Sequence, residues 1–223
     1  MIKITKDIYV NLDTSFLFNG ILTNGRNSID SAQFLEICQK MRKLKKYGVR
    51  ISKEIVSEIL YLTTRHHRNP EVYEALVELD RVSHIIHTGE DTTILKFLAE
   101  KVKEVGKDLS VRLDKTDLSK EDVFYCTDTL RYLRKAPVIA ATRDGLIKNT
   151  LAYLYPTVNR AFVSQGYKDN QLYFAETIDN LENICQRVKA EGKLSRLNAG
   201  INSPLAHRSI AREIWMGREI INT

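Results

Sequence analysis

The stretch IYVNLDTSFLF, from Ile8 to Phe18, decides how this chain is read. Ile8, Tyr9, Val10 and Leu12 form a short, nearly continuous apolar run, the pattern of a strand covered on both faces in a parallel sheet. The run ends in Asp13, then Thr14 and Ser15, before apolar residues that can open a helix. In open α/β sheets, ligands collect beyond the carboxyl ends of the strands, where Asp13 would stand. An aspartate there can equally be an ordinary helix cap. Its meaning depends on whether other carboxylates converge on it.

Working outward, strand and helix signals alternate. Asn27, Ser28 and Asp30 supply cap-like residues before a helical stripe of Phe34, Leu35, Cys38, Met41 and Leu44, which Gly48 terminates. Val49-Arg50-Ile51 reads as a strand, and Ser52 caps a helix with Ile55, Ile59 and Leu62 on one face. A basic turn, Arg65-His66-His67-Arg68, follows. Val72–Leu79 reads as a helix, Val82–His87 as a strand, and Thr92–Val105 as another helix. The polar stretch from Gly106 to Leu118 shows no period. Ser119 opens a helix striped by Val123, Cys126, Leu130 and Leu133, and Val138–Ala141 reads as a second buried strand running into Thr142-Arg143-Asp144. Such alternation argues for βαβ units around a parallel sheet. Beyond residue 163 the pattern changes: Phe174, Ile178, Leu181, Ile184 and Val188 share a stripe, and Ile210 and Ile214 mark another. The expected division is a domain over 1–163 and a helical extension over 164–223.

Four acids stand where surface placement explains them poorly. Asp13 and Asp144 each follow an apolar strand, hence share one sheet edge if the strands are parallel. Glu58 lies three residues after Ile55 and four before Leu62, on the buried face of its helix. Asp122 lies four before Cys126, yet it also completes an S-x-x-D capping box with Ser119. Asp128 competes with Asp122 for the same role, but it falls opposite Cys126 and is expected to meet solvent. Carboxylates brought this close repel one another unless a cation neutralises them, and a cluster of their oxygens suits Mg²⁺ or Mn²⁺. An ion there polarises a phosphoryl oxygen and acidifies a bound water, which is phosphodiester-hydrolysis chemistry.

VNLDTSFLFNGIL, ISKEIVSEIL, DLSKEDVFYCTDTL and VIAATRDGLI together resemble the successive motifs of PIN-domain proteins, in order and setting, across residues 4–163. The resemblance implies a three-layer α/β/α sandwich on a mainly parallel sheet and a metal-dependent endoribonuclease. Carried over by position, Asp13, Glu58, Asp122 and Asp144 are the catalytic, metal-binding acids, and Thr142 is the small hydroxyl residue before the last of them. The interval from Asp122 to Asp144 is longer than usual in compact members, and the tail matches no motif of the family. A non-catalytic RNA-binding or assembly module on the same fold is the competing reading. Toxins of toxin–antitoxin pairs, RNA-processing factors and defence nucleases would share these motifs.

Charge and composition fit this frame. Among 223 residues, 34 Lys and Arg against 28 Asp and Glu leave a formal charge of +6, which favours a polyanion such as RNA. Arg65 and Arg68 in the basic turn, Thr142 and Arg143 before Asp144, and Arg208 and Arg212 near the end are the candidate RNA contacts; a solvated basic face is the alternative for the arginines. A homodimer, through the Phe174–Val188 stripe, and a small antitoxin-like protein are the expected protein partners. The three cysteines, Cys38, Cys126 and Cys185, form no CxxC pair, which suits a reducing, cytoplasmic setting. No apolar run is long enough for a bilayer, and no glycine-rich phosphate loop precedes a helix.

Overall fold

A computed structural model of the chain describes residues 8–18, 30–64, 68–86 and 92–195. Five strands, β1 (Tyr9–Leu12), β2 (Gly48–Ser52), β3 (His84–Ile86), β4 (Val138–Ala141) and β5 (Leu172–Ala175), form one sheet in the order β3-β2-β1-β4-β5. Every pairing is parallel, with Val10 opposite both Val49 and Ile139, Ile51 opposite Ile85, and Ile139 opposite Tyr173. The apolar strands are buried as a parallel sheet requires: Val10, Leu12, Val49 and all of Val138–Ala141 are inaccessible.

Among the described residues, eight α-helices cover the two faces, giving a three-layer α/β/α sandwich. They are α1 (Thr14–Leu17), α2 (Ser31–Lys40), α3 (Lys53–Thr64), α4 (Pro70–Val82), α5 (Thr92–Arg112), α6 (Lys120–Tyr132), α7 (Gly145–Ser164) and α8 (Ile178–Ser195). Helices α5, α6 and α7 pack on one another with α3 against α6, whereas α2 packs on α4 and α8 lies against β4 and β5. Local chemistry sets the boundaries. Asp30 caps α2 through its bond from Gln33 N at 3.0 Å, Asn69 caps α4 ahead of Pro70, and Ser52 Oγ accepts from Ile55 N at 3.2 Å at the start of α3. Among the described residues, no helix is long and apolar enough to cross a membrane.

Three sequence expectations change. Helix α5 does not stop at Val105 but runs to Arg112, through Gly106. A Cβ at Gly106 would overlap Leu118 Cδ1, so glycine there lets the following loop fold back against the helix. The chain then turns through Asp114, at φ 51, with Lys115 N bonded to Ser110 O at 2.9 Å. Second, Phe174 belongs to β5, not to a helix. Its four-residue spacing from Ile178 mimics a helical stripe, but Leu172–Ala175 pair with β4.

It follows that the helical extension does not begin at residue 164: β5 completes the sheet, α8 packs on β4 and β5, and Leu181, Cys185 and Val188 join the common core. Residues 196–223, with Arg208, Arg212 and the second stripe, lie outside the described residues, as do Arg65, His66 and His67. Third, the strand expected from Val82 begins only at His84, because Val82 closes α4; its expected last residue, His87, lies outside the described residues.

Candidate functional site

The carboxyl edge of β1 and β4 gathers the chemistry. The ladder extends one residue past each strand: Asp13 N donates to Ala141 O at 3.0 Å, and Thr142 N donates to Ala175 O at 3.0 Å. That register puts Asp13 beside the Thr142–Asp144 turn. Asp13 is 2% exposed. Its Oδ2 accepts from Ser15 Oγ, from Thr142 Oγ1 at 2.8 Å and from Ser15 N at 3.3 Å. The two hydroxyls lie 3.1 Å apart; with both protons directed at Asp13, that approach is a contact between acceptors. Thr142 Oγ1 also accepts from Asp144 N at 3.1 Å, and Ser15 Oγ from Arg143 N at 2.9 Å. Two small hydroxyls therefore lock the β1 and β4 ends together.

The other acids hang on helix starts. Asp144 Oδ1 accepts from Leu146 N at 2.6 Å and Ile147 N at 3.2 Å, capping α7. Asp122 and Ser119 form the reciprocal capping box, at 2.9 and 3.1 Å. Glu58 Oε2 accepts from Thr14 Oγ1 at 2.6 Å, which ties α3 to the residue after Asp13. The capping roles anticipated for Asp13 and Asp122 are thus present, and Asp144 caps α7 as well.

Electrostatics couples the acids nonetheless. Burial raises the Asp13 carboxyl to about 6, against the pull of the Ser15 and Thr142 hydroxyls, and the charges of Asp122 and Glu58 push it further up. Burial also raises Glu58, opposed by Thr14, with Asp122 and Glu121 adding to the rise. Asp122 is raised by burial, opposed by Ser119, with Asp144 and Glu121 adding. Asp13 is thus pushed up by Asp122 and Glu58, Glu58 by Asp122, and Asp122 by Asp144, each in addition to its burial.

Among the described residues, no three His, Cys, Asp or Glu side chains stand in an arrangement that holds a metal ion. The donor set still suits a hard divalent cation, being all carboxylate. The bonds that Asp13, Glu58, Asp122 and Asp144 accept, among the described residues, fall on a single oxygen of each. Repulsion among these acids is what a cation would relieve.

Asp128 is corrected from the solvent face to the interior. It is 1% exposed, with Arg131 Nη2 at 2.9 Å from its Oδ1. Helix α6 is covered on several sides, by α3, α5, α7 and the sheet, and Asp128 falls within the covered part. The charges that act on Asp128 are those of Arg131, Glu54 and Arg50, outside the acidic group. Asp122 is the α6 acid coupled to the site.

Thr142 is likewise corrected. It is fully buried, its hydroxyl engaged by Asp13 and Asp144, so it braces the acids and offers no surface to RNA. Arg143 is half-buried; its Nε donates to Glu176 O at 2.9 Å, while Nη1 is buried and finds no hydrogen-bond partner among the described residues. Arg68 is exposed in the turn before α4.

Sequence reasoning passed over Ser15, Thr14 and Glu121. For Ser15 the signal was present in the D-T-S order, where a hydroxyl two residues after an aspartate folds back on it. For Thr14 no local signal exists, since Glu58 is 44 residues away. Comparison of the chain with family models, curated proteins and solved structures finds no match.

Proposed function

We propose that this chain is a metal-dependent endoribonuclease of the PIN type, in which Asp13, Glu58, Asp122 and Asp144 hold Mg²⁺ or Mn²⁺ at the carboxyl edge of β1 and β4. The observation that carries the reading is a chain of carboxylate repulsions at the end of a parallel sheet: Asp144 pushes Asp122 up, Asp122 pushes Glu58 up, and Asp122 and Glu58 add to the burial that raises Asp13. When bound, the ion would supply a more acidic water and polarise a phosphoryl oxygen. Asp13 is the central ligand, held in one rotamer by Ser15 and Thr142. Asp144 and Asp122 stand at the starts of α7 and α6, where the helix termini themselves favour an anionic substrate. Arg143 Nη1, buried and without an acceptor among the described residues, is suited to a phosphate oxygen next to the scissile one. The net charge of +6 supports RNA as the partner.

The test is cleavage of single-stranded RNA with Mn²⁺ supplied. Wild-type chain should cut, and Asp13→Asn, which keeps an acceptor for Ser15 and Thr142, should not. Cleavage at an equal rate by the folded variant overturns the mechanism.

A second reading, an RNA-binding or assembly module without catalysis, is favoured by the lack of a three-ligand group among the described residues and by the capping role of each aspartate. A chain whose melting temperature ignores Mn²⁺ and which cuts no RNA belongs to that class.

A further inference from the structure

A groove of about 480 Å³ lies between α5 and the start of α6, lined there by Ser119, Lys120, Val123 and Phe124. Its floor is apolar, built from Ala99 and Val123 with Leu118 and the half-buried Phe124. Its rim is cationic: Lys103 and Lys107 project from α5 one turn apart, and Lys120 opens α6. The ion pair of this part of α5 is Lys101 with Glu104 at 2.6 Å; Lys103 and Lys107, exposed, form none among the described residues. Lys120 Nζ stands 5.9 Å from the Phe124 ring centroid. Asp117, the acid on the wall, is occupied by the Ser110 hydroxyl.

The loop that closes the groove also reaches the acidic site. Lys115, in the same loop as Leu118, puts its Nζ 3.1 Å from where a Cβ on Gly145 would lie, next to Asp144. Cations therefore run from the groove rim to the α7 start. The loop is braced by Ser110, whose hydroxyl and carbonyl hold Asp117 and Lys115, and by Leu118 seated on Gly106.

We propose that this groove is a nucleotide subsite: it receives one unpaired RNA base against Phe124 and Leu118, with the flanking phosphates on Lys103, Lys107 and Lys120. A stacked, paired base cannot present its π-face to Phe124, so the site selects single-stranded over duplex RNA. The volume falls in the range of small-ligand sites, and an apolar floor under a cationic rim matches a base joined to phosphates. The choice of RNA over DNA rests on the nuclease reading; the groove itself does not.

The probe is a fluorescein-labelled single-stranded RNA, followed by anisotropy with the full chain carrying Asp13→Asn. Lys103→Glu/Lys107→Glu should weaken binding about tenfold or more at low salt, with the difference shrinking as KCl rises. Phe124→Ala should weaken it by a similar factor that salt leaves largely unchanged. The charge-matched control is Lys96→Glu/Lys101→Glu on the same helix outside the groove, and circular dichroism checks that each variant folds. Groove variants that bind RNA no worse than that control overturn the subsite. So does a loss seen only with an acidic peptide, which would assign the groove to a protein segment. Groove-dependent binding by a chain that never cleaves RNA supports the subsite while refuting the nuclease. Cleavage by wild type with groove variants at full affinity does the reverse.

Discussion

Thr142 Oγ1 donates to Asp13 Oδ2 at 2.8 Å and accepts from Asp144 N at 3.1 Å, so one hydroxyl sets the spacing of two strand ends 129 residues apart in the chain. The threonine is fully buried and touches no solvent. Its role is to position the two aspartates.

Thr142→Val keeps the shape of the side chain and removes the hydroxyl. Asp13 then loses a donor and the Asp144 N–H its acceptor, at a cost of about 1–3 kcal/mol in stability. RNA cleavage should fall about 10–100-fold, as for other changes that leave a ligand unsupported. Thr142→Ser should recover most of the activity. Chemical denaturation and cleavage rates check both, and a Val variant as active as wild type refutes the positioning role.

Divalent-ion binding should depend on pH through Asp13. Its carboxyl, raised to about 6 chiefly by burial, must be ionised to bind a cation. At pH 5 about a tenth is ionised, so apparent Mn²⁺ affinity should be about tenfold weaker than at pH 7.5. The rise in melting temperature with Mn²⁺ should shrink accordingly. A shift of equal size at both pH values, or one that persists in Asp13→Asn, places the ion elsewhere.

Asp128 should make the fold less stable as pH rises. Burial lifts its carboxyl to about 6, opposed by Arg131 and Arg50 and aided by Glu54. The unfolded value is about 3.9. Between about pH 4 and pH 6 the folded chain holds the extra proton, and stability falls with rising pH. The melting temperature of wild type relative to Asp128→Asn should therefore drop across that window and level off above it. A flat difference from pH 4 to pH 7 contradicts this.

Glu78 should act in the opposite sense and at lower pH. It is 1% exposed and pairs with Arg42 and, at 2.7 Å, with Arg81, which hold its carboxyl down at about 2. Its stabilisation is complete above the unfolded value near 4.3 and is lost as pH falls toward 2. The melting deficit of Glu78→Gln should be full at pH 6 and close at low pH. A deficit that is constant from pH 6 to pH 2.5 excludes the ion pairs as its source.

The parts that could be read from local pattern are those where a few neighbouring residues settle the outcome. Ile8–Leu12 and Val138–Ala141 are too short and too apolar for an amphipathic helix, and the Asp ending each run is placed by the strand direction alone. Ser119 with Asp122, and Ser52 before Ile55, announce helix starts through bonds that span three residues. The parallel sheet, its three-layer setting and the shared edge of Asp13 and Asp144 follow from these.

What the tertiary structure decided involves partners that sequence distance hides. Phe174 sits in β5 because Ala140 offers it a strand to pair with, whereas its spacing from Ile178 suits a helix equally well. Asp128 is interior because α6 is enclosed by neighbours that no helical wheel displays. Gly106 carries α5 onward because Leu118 needs the space its missing Cβ leaves. Thr14 reaching Glu58, and Thr142 reaching Asp13, are bonds across 44 and 129 positions. Residue types and short spacings set which groups can ionise, cap or pack. The distances between them, and hence the repulsion that makes four scattered carboxylates one electrostatic unit, exist only once the sheet has brought its strand ends together.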